Sequence, residues 1–299
     1  MYYNFDDEVS TVDLGSTNSS HLTYGYITLL QLKDAAKHFS LPAQSLVKLT
    51  SFKNFNNELY TYDDCCFAII NTGSDCFALY VKKNLLLLVM IEDVTHTVRD
   101  SFISLNVSDE ITLCTLVCTL FEDLVNSVIV SVNDIQAKTD CMEKQLLKQV
   151  ITKDFNTRLF LLKEELIKQY SYCDTLLDLL SLLHKNSADI FDEKELTEFE
   201  PISERISRLK ESIGVMRDGI IHLRDAYQSN LDLRLNQTMK IFTVFTVLFS
   251  PLSFISSWYG MNFAYMPELK FRYAYPCIIV LAIVVTVSLL IWFKHKKWI

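Results

Sequence analysis

The chain has 299 residues, with 28 lysines and arginines against 36 aspartates and glutamates and a formal net charge of −8. That length holds a folded domain plus a membrane part, and the acidic balance argues against nucleic acid as a partner. Hydrophobic residues make up 50% of the chain, close to a soluble average, so most of it is expected in water, with the apolar excess gathered after position 240.

The opening Met1-Tyr2-Tyr3-Asn4-Phe5-Asp6-Asp7-Glu8 has neither the basic nor the apolar region of a secretory leader, so the long segment before the apolar spans is expected in the cytoplasm. Residues 1–20 read as a loose polar lead-in. Helical patterns follow at Gln31–His38 and Pro42–Leu49. Strands rich in aliphatic and aromatic residues come next, at Leu59–Thr61, Phe67–Asn71, Cys76–Lys82 and Leu85–Ile91, with Asn71-Thr72-Gly73-Ser74 as a turn. The expected class for residues 1–108 is an α+β cytoplasmic domain of α/β/α type.

Eight cysteines without an export signal are expected as reduced thiols. Cys65 and Cys66 are adjacent. Cys114 and Cys118 lie four apart on a predicted helix; that spacing suits a zinc-binding pair, but small buried hydrophobes are the preferred reading. The chain has no HExxH, Walker loop, nucleophile elbow or dinucleotide fingerprint, so it is not expected to be an enzyme.

From residue 109 to 200 the pattern turns to long helices, Ile111 to Val130 and then Asp134 to Leu183, with a break at His184-Lys185-Asn186-Ser187. The acidic run Asp189, Asp192, Glu193, Glu195, Glu198 and Glu200 is expected as an exposed connection. Pro201 restarts a helix at its permitted first turn, and no proline follows until Pro251. Ile202 to Trp258 then forms one helix of roughly 55 residues, about 80 Å long. Such a helix has no place in a globular core, so residues 201–240 read as a stalk and 241–258 as a first transmembrane helix. A short loop, 259–274, leads to a second apolar span, 275–293, and a basic tail, 294–299.

Arg234 and Lys240 precede the first span, and Lys294, Lys296 and Lys297 follow the second. The loop holds only Lys270 and Arg272, partly offset by Glu268. The positive-inside bias therefore puts both termini in the cytoplasm of a multi-pass protein of the cell membrane, with the loop outside. Aromatic residues at both span ends fit interfacial belts. The alternative, two core helices of a soluble protein, fits poorly with two spans in succession and a basic tail.

Read at a spacing of seven, the long helix carries two columns. One is Asp218, Asp225, Asp232, Met239, Thr246 and Ser253; the other is His222, Ser229, Asn236, Thr243, Ser250 and Ser257. Offsets of three and four put both on one face. Hydroxyls on a membrane helix serve either as glue between helices or as the wall of a water-filled pore. The aspartates continuing the stripe favour the pore, because stacked acidic rings raise local cation concentration. Arg217 and Arg224 lie beside the column and offset part of its charge.

The loop carries Tyr259-Gly260-Met261-Asn262 and then Met266-Pro267-Glu268-Leu269. With Asn236-x-x-Met239-Lys240, Pro251, Tyr275-Pro276 and the ending Lys294-His295-Lys296-Lys297-Trp298-Ile299, this order of motifs resembles the CorA family of magnesium and cobalt transport proteins, from Asn236 to the end. The resemblance implies a funnel-shaped homopentamer in the lipid bilayer and passive uptake of Mg²⁺, with Co²⁺ or Ni²⁺ as further ions. Five copies of the first span would line the pore, with Gly260, Met261 and Asn262 as selectivity filter. Asn262 would meet Mg²⁺ through its hydration water, since Mg²⁺ dehydrates reluctantly.

Glu268 would attract cations to the mouth, and Asn236, Met239 and Phe242 would sit near the cytoplasmic constriction. The chain departs from the family pattern at Phe242, where relatives commonly carry Leu, and at Ser250, where a bulkier apolar residue is frequent. Pro201 stands where relatives show a Mg²⁺-sensing aspartate, which leaves Glu200 as the nearest candidate for a regulatory Mg²⁺ site; Asp63 and Asp64 are weak candidates for its partner. Two alternatives stay open: a ZntB-type zinc transporter, less favoured by the MPEL wording, and a membrane-anchored coiled-coil scaffold without transport.

Overall fold

The computed structural model describes residues 2–5, 9–12, 22–51, 57–72, 75–92, 94, 98, 112–261, 273–296 and 298. These fall into two compact units, Met1–Leu223 and Arg224–Ile299.

The first unit is built on a seven-stranded mixed sheet of order β2-β1-β3-β7-β6-β5-β4. Its strands are β1 (Tyr2–Phe5), β2 (Val9–Val12), β3 (Thr23–Thr28), β4 (Glu58–Tyr62), β5 (Cys65–Asn71), β6 (Cys76–Lys82) and β7 (Leu85–Glu92). All neighbours are antiparallel except β3 and β7, whose parallel pairing runs from Thr23↔Leu85 to Thr28↔Met90. β5, β6 and β7 are each buried over their first six residues, which is why they read as unbroken apolar runs rather than alternating ones. Helices α1 (Leu32–His38) and α2 (Ala43–Ser51) cover one face, where Leu32, Ala35 and Leu49 pack with Phe67, Tyr80 and Leu87. On that face the Tyr80 hydroxyl donates to Ser45 Oγ at 2.9 Å.

Helices α3 (Leu113–Leu147) and α4 (Phe155–Lys185) lie against the sheet at β7 and at β4 and β5. Across this side the Asn57 amide donates to Thr175 Oγ1 at 2.5 Å. A short helix, α5 (Glu193–Leu196), opens with a capping box of Asp192 and Glu195.

Two expectations need correction. The stretch expected as a loose polar lead-in contains β1 and β2, and β1 joins β2 to β3. Sequence hydropathy does not indicate them because each strand is only four residues long and is held by backbone pairing with its neighbours, too short for an apolar pattern to register. The long helical region also divides later than expected, between Leu147 and Phe155. The Val150 amide bonds Gln145 O and the Gln149 amide bonds Leu146 O, with Gln149 at φ 58°. This is a Schellman ending built without glycine, so no sequence punctuation marks it. The break after Lys185 lies where the sequence indicates: Asn186 is left-handed, and its side chain bonds the Ile190 and Phe191 amides.

The helix α6 (Phe199–Tyr259) is continuous for 61 residues, with Pro201 in its first turn and Pro251 inside it. In the first unit its buried residues include Phe199, Ile206, Ile213 and Ile220, one every seven residues. Polar contacts flank this seam: Arg205 Nη2 donates to Asn126 Oδ1 at 2.8 Å, and Lys210 pairs with Asp174. The second unit consists of the remainder of α6 and α7 (Ala274–His295).

Three helical stretches among the described residues are long and apolar enough to cross a membrane: α3, the segment ending with α6, and α7. Half of the apolar window of α3 is buried in its own unit, against 6% for each of the other two. The apolar surface of α3 is therefore spent on the core, and the two C-terminal segments are the membrane candidates.

Candidate functional site

Within residues 241–259 of α6, only Val244, Leu248, Pro251, Leu252 and Ile255 are covered or partly covered. At about 100° per residue these five form one stripe, and Thr243, Thr246, Ser250, Ser253 and Ser257 form another centred about 180° away. All five hydroxyl positions are exposed. Helix α7 has a similar single stripe at Ala274, Ile278, Ala282, Val285, Thr286, Leu289 and Phe293. Each helix of this unit thus buries one apolar stripe and leaves the rest open.

Two hydroxyls of the exposed column are turned back on their own helix. Thr243 Oγ1 donates to Met239 O at 2.8 Å, and Thr246 Oγ1 donates to Phe242 O at 2.9 Å. Their protons are used, and what remains outward is oxygen lone pair. Asn236 and Met239 are exposed about two turns and one turn before Thr243, and Phe242 is exposed immediately before it. Farther back, Asp218, Asp225 and Asp232 are exposed on the same helix. Arg217 Nη2 lies 3.5 Å from Asp218 Oδ1, so Asp218 is partly offset by its neighbour. Neither Asp225 nor Asp232 is in an ion pair among the described residues.

At the end of α6 the Gly260 amide bonds Ser256 O at 3.0 Å and the Met261 amide bonds Trp258 O at 3.4 Å. A Cβ at Gly260 would sit 3.2 Å from Ser256 O. Glycine thus gives close approach to the carbonyls of the last turn, where a larger residue would press on Ser256 O. Asn262 and Glu268 lie outside the described residues, as do the remaining residues of the 262–272 loop.

Elsewhere in the first unit, Glu200 is exposed on a cavity of about 370 Å³ lined also by Leu180, Ser181, His184, Phe199, Ser203 and Glu204. Asp64 pairs with Lys82 at 2.6 Å. The adjacent Cys65 and Cys66 are buried in the sheet, and burial pushes their thiols up to about 12 and about 11. Cys114 and Cys118 meet a residue that spacing alone did not supply. Cys114 Sγ is 3.9 Å from Cys118 Sγ and 3.5 Å from Glu198 Oε2, and it also donates to Glu195 O at 3.4 Å. The hydrogen-bonded Cys118 thiol, then burial, then the Glu198 carboxylate hold the Cys114 thiol far above its ordinary range.

A family model described as CorA-like Mg²⁺ transporter protein matches residues 62–297. The cobalt/magnesium transport protein CorA of Thermotoga maritima is 29% identical over 184 residues, which cover 62% of this chain and 52% of that protein. The magnesium transport protein CorA of Wolinella succinogenes is 36% identical over 119 residues, covering 40% of this chain and 36% of the relative. The chain thus spans about half the length, or less, of the curated relatives it matches. The complete structure of the CorA magnesium transporter from Methanocaldococcus jannaschii superposes with a TM-score of 0.85 at 18% identity, over 100% of this chain and 98% of that one. That match extends the shared fold to the N-terminal sheet, where sequence motifs were absent. The match over residues 62–297 makes this chain a member of the CorA-like Mg²⁺ transporter family, a family of transporters rather than enzymes.

Proposed function

We propose that the chain forms a membrane channel for passive uptake of Mg²⁺, with Co²⁺ as a further ion and five copies of the first span around the pore. The observation that carries this reading is the two-sided α6. Its apolar stripe is covered within the chain, while its hydroxyl column is open and lies opposite. An exposed row of Thr243, Thr246, Ser250, Ser253 and Ser257 on a membrane helix needs either water or other copies of the chain to satisfy it. A pore supplies both.

The chemistry suits a hydrated cation. Mg²⁺ holds its water strongly, so its shell presents hydrogens outward. The lone pairs left by the back-bonded Thr243 and Thr246 accept those hydrogens without replacing the shell. Asn262, in the filter with Gly260 and Met261, would act in the same way through neutral amide oxygen. Glu268 would draw cations to the outer mouth, and Asp225 and Asp232 would hold them on the cytoplasmic side, with Asp218 weakened by Arg217. Met239 and Phe242, beside Asn236, would form an apolar constriction that closes by excluding water. Glu200 is retained as the candidate regulatory Mg²⁺ ligand, on the cavity it shares with His184 and Glu204. An inside-negative potential drives the ion, at about 4.6 kcal/mol per 100 mV for a divalent charge.

The test is Mg²⁺ uptake into proteoliposomes under an imposed inside-negative potential, beside Asn262→Ala. The channel reading predicts potential-dependent uptake in the wild type and its loss in the variant. Folded, reconstituted protein that passes no divalent ion would leave the scaffold reading in its place.

A further inference from the structure

The Cys114–Cys118–Glu198 cluster has no part in the ion path, yet its dimensions are those of a metal site. The three ligating atoms lie within 4.8 Å of one another. A tetrahedral Zn²⁺ with bonds of about 2.3 Å to sulfur and about 2.0 Å to oxygen has edges of about 3.8 Å between two sulfurs and about 3.5 Å between sulfur and oxygen. The measured separations are 3.9 Å for Cys114 Sγ to Cys118 Sγ and 3.5 Å for Cys114 Sγ to Glu198 Oε2. Two tetrahedral edges therefore match the measured separations.

Local structure explains the convergence. Cys114 and Cys118 are one turn apart near the start of α3, whose first turn is capped by Thr112 Oγ1 accepting from the Thr115 amide at 3.1 Å. Glu198 lies in the tight link from α5 into α6, where its amide bonds Glu195 O at 3.0 Å. Cys114 is buried, Cys118 half-buried and Glu198 exposed, so the cluster runs from the interior to the solvent-facing surface. Thiolate pairs select borderline and soft ions over Mg²⁺, which prefers an all-oxygen shell.

We propose that Cys114, Cys118 and Glu198 bind one Zn²⁺-class divalent ion, with Co²⁺ as an equivalent, and so tie the first turns of α3 to the start of α6. Such a site is distinct from the Mg²⁺ path and does not rest on the transport reading. It gives the chain a means of responding to a thiophilic metal at the base of the helix that continues into the membrane candidate.

The experiment is a Co²⁺ titration of the reduced, metal-free full chain in detergent, read by absorbance. The expected result is a thiolate-to-cobalt charge-transfer band in the near ultraviolet that saturates at one ion per chain. Zn²⁺ should abolish the band, and a hundredfold excess of Mg²⁺ should leave it in place. Cys118→Ser should lose the band, and Glu198→Gln, at an exposed position that leaves the core untouched, should weaken Co²⁺ binding at least tenfold. Cys141→Ser and Cys277→Ser, at exposed cysteines outside the cluster, should change nothing. Absence of the band at saturating Co²⁺, its survival in Cys118→Ser, or its displacement by Mg²⁺ would each overturn the proposal. Because the readout is optical, a loss of Mg²⁺ flux and a loss of this site are told apart.

Discussion

Truncation of Ile213 to alanine tests whether the seven-residue seam holds the first part of α6 in place. Ile213 is 1% exposed, and its seam neighbours Ile206 and Ile220 are 0% and 2% exposed. The change removes three carbons from a packed site. The lost transfer free energy alone is about 2.4 kcal/mol, and the cavity left behind brings the cost to about 2–4 kcal/mol. Val215, two residues on, is 69% exposed and lies three residues from Asp218 on the open side, so Val215→Ala should cost under about 0.5 kcal/mol. In thermal melts of the purified full chain, Ile213→Ala should lower the midpoint by about 5–15 °C, with Val215→Ala within about 2 °C of wild type. Equal shifts for the two variants would refute the assignment of the buried face.

Three further outcomes follow from the same structure. Asp225→Asn with Asp232→Asn should lower Mg²⁺ flux several-fold at low ionic strength and less at high salt, because screening shortens the reach of exposed charges; unchanged flux would remove the acidic column from the account. Thr246→Val should leave stability within about 1 kcal/mol, since one back-bond to Phe242 O is all it breaks, yet reduce Mg²⁺ conduction in flux assays. Glu58 is held below its ordinary value of 4.5, first by the hydrogen bond from the Tyr60 hydroxyl and then by Lys48. Its folded state binds a proton less readily than the unfolded one, so it adds stability above pH 4.5 that is lost as pH falls through the lowered folded value. Melting midpoints of Glu58→Gln against pH should therefore fall less steeply on the acid side than those of wild type.

Legibility in the sequence follows how locally each feature is encoded. The strands β5, β6 and β7 were legible because both of their faces are buried, which leaves runs such as Leu85-Leu86-Leu87-Leu88-Val89. The 61-residue helix was legible because proline occurs only in its first turn and at Pro251. The Schellman ending at Gln149 was not, because the left-handed position is filled by glutamine, which carries no local signal for that conformation as glycine or asparagine would. The strand pairing of Tyr2–Phe5 depends on β3, and nothing local announces it. Of the Cys114 cluster, sequence spacing indicated only the two cysteines. Glu198 is 84 positions from Cys114 and reaches it only because the α5–α6 link packs beside α3. The hydroxyl column could be listed from spacing alone, whereas its position opposite the covered stripe required the structure.

The most direct test of the central claim is thiol accessibility along α6, measured as Mg²⁺ flux in proteoliposomes before and after a charged, water-soluble thiol reagent. With the exposed Cys141 and Cys277 first replaced by serine, cysteines would be introduced singly as Ser250→Cys and Ser253→Cys on the open face and Leu248→Cys and Leu252→Cys on the covered one. A pore lined by the hydroxyl column predicts that the reagent blocks flux in both serine-derived variants and spares both leucine-derived ones. Block confined to the leucine positions, or flux insensitive at all four, would contradict it.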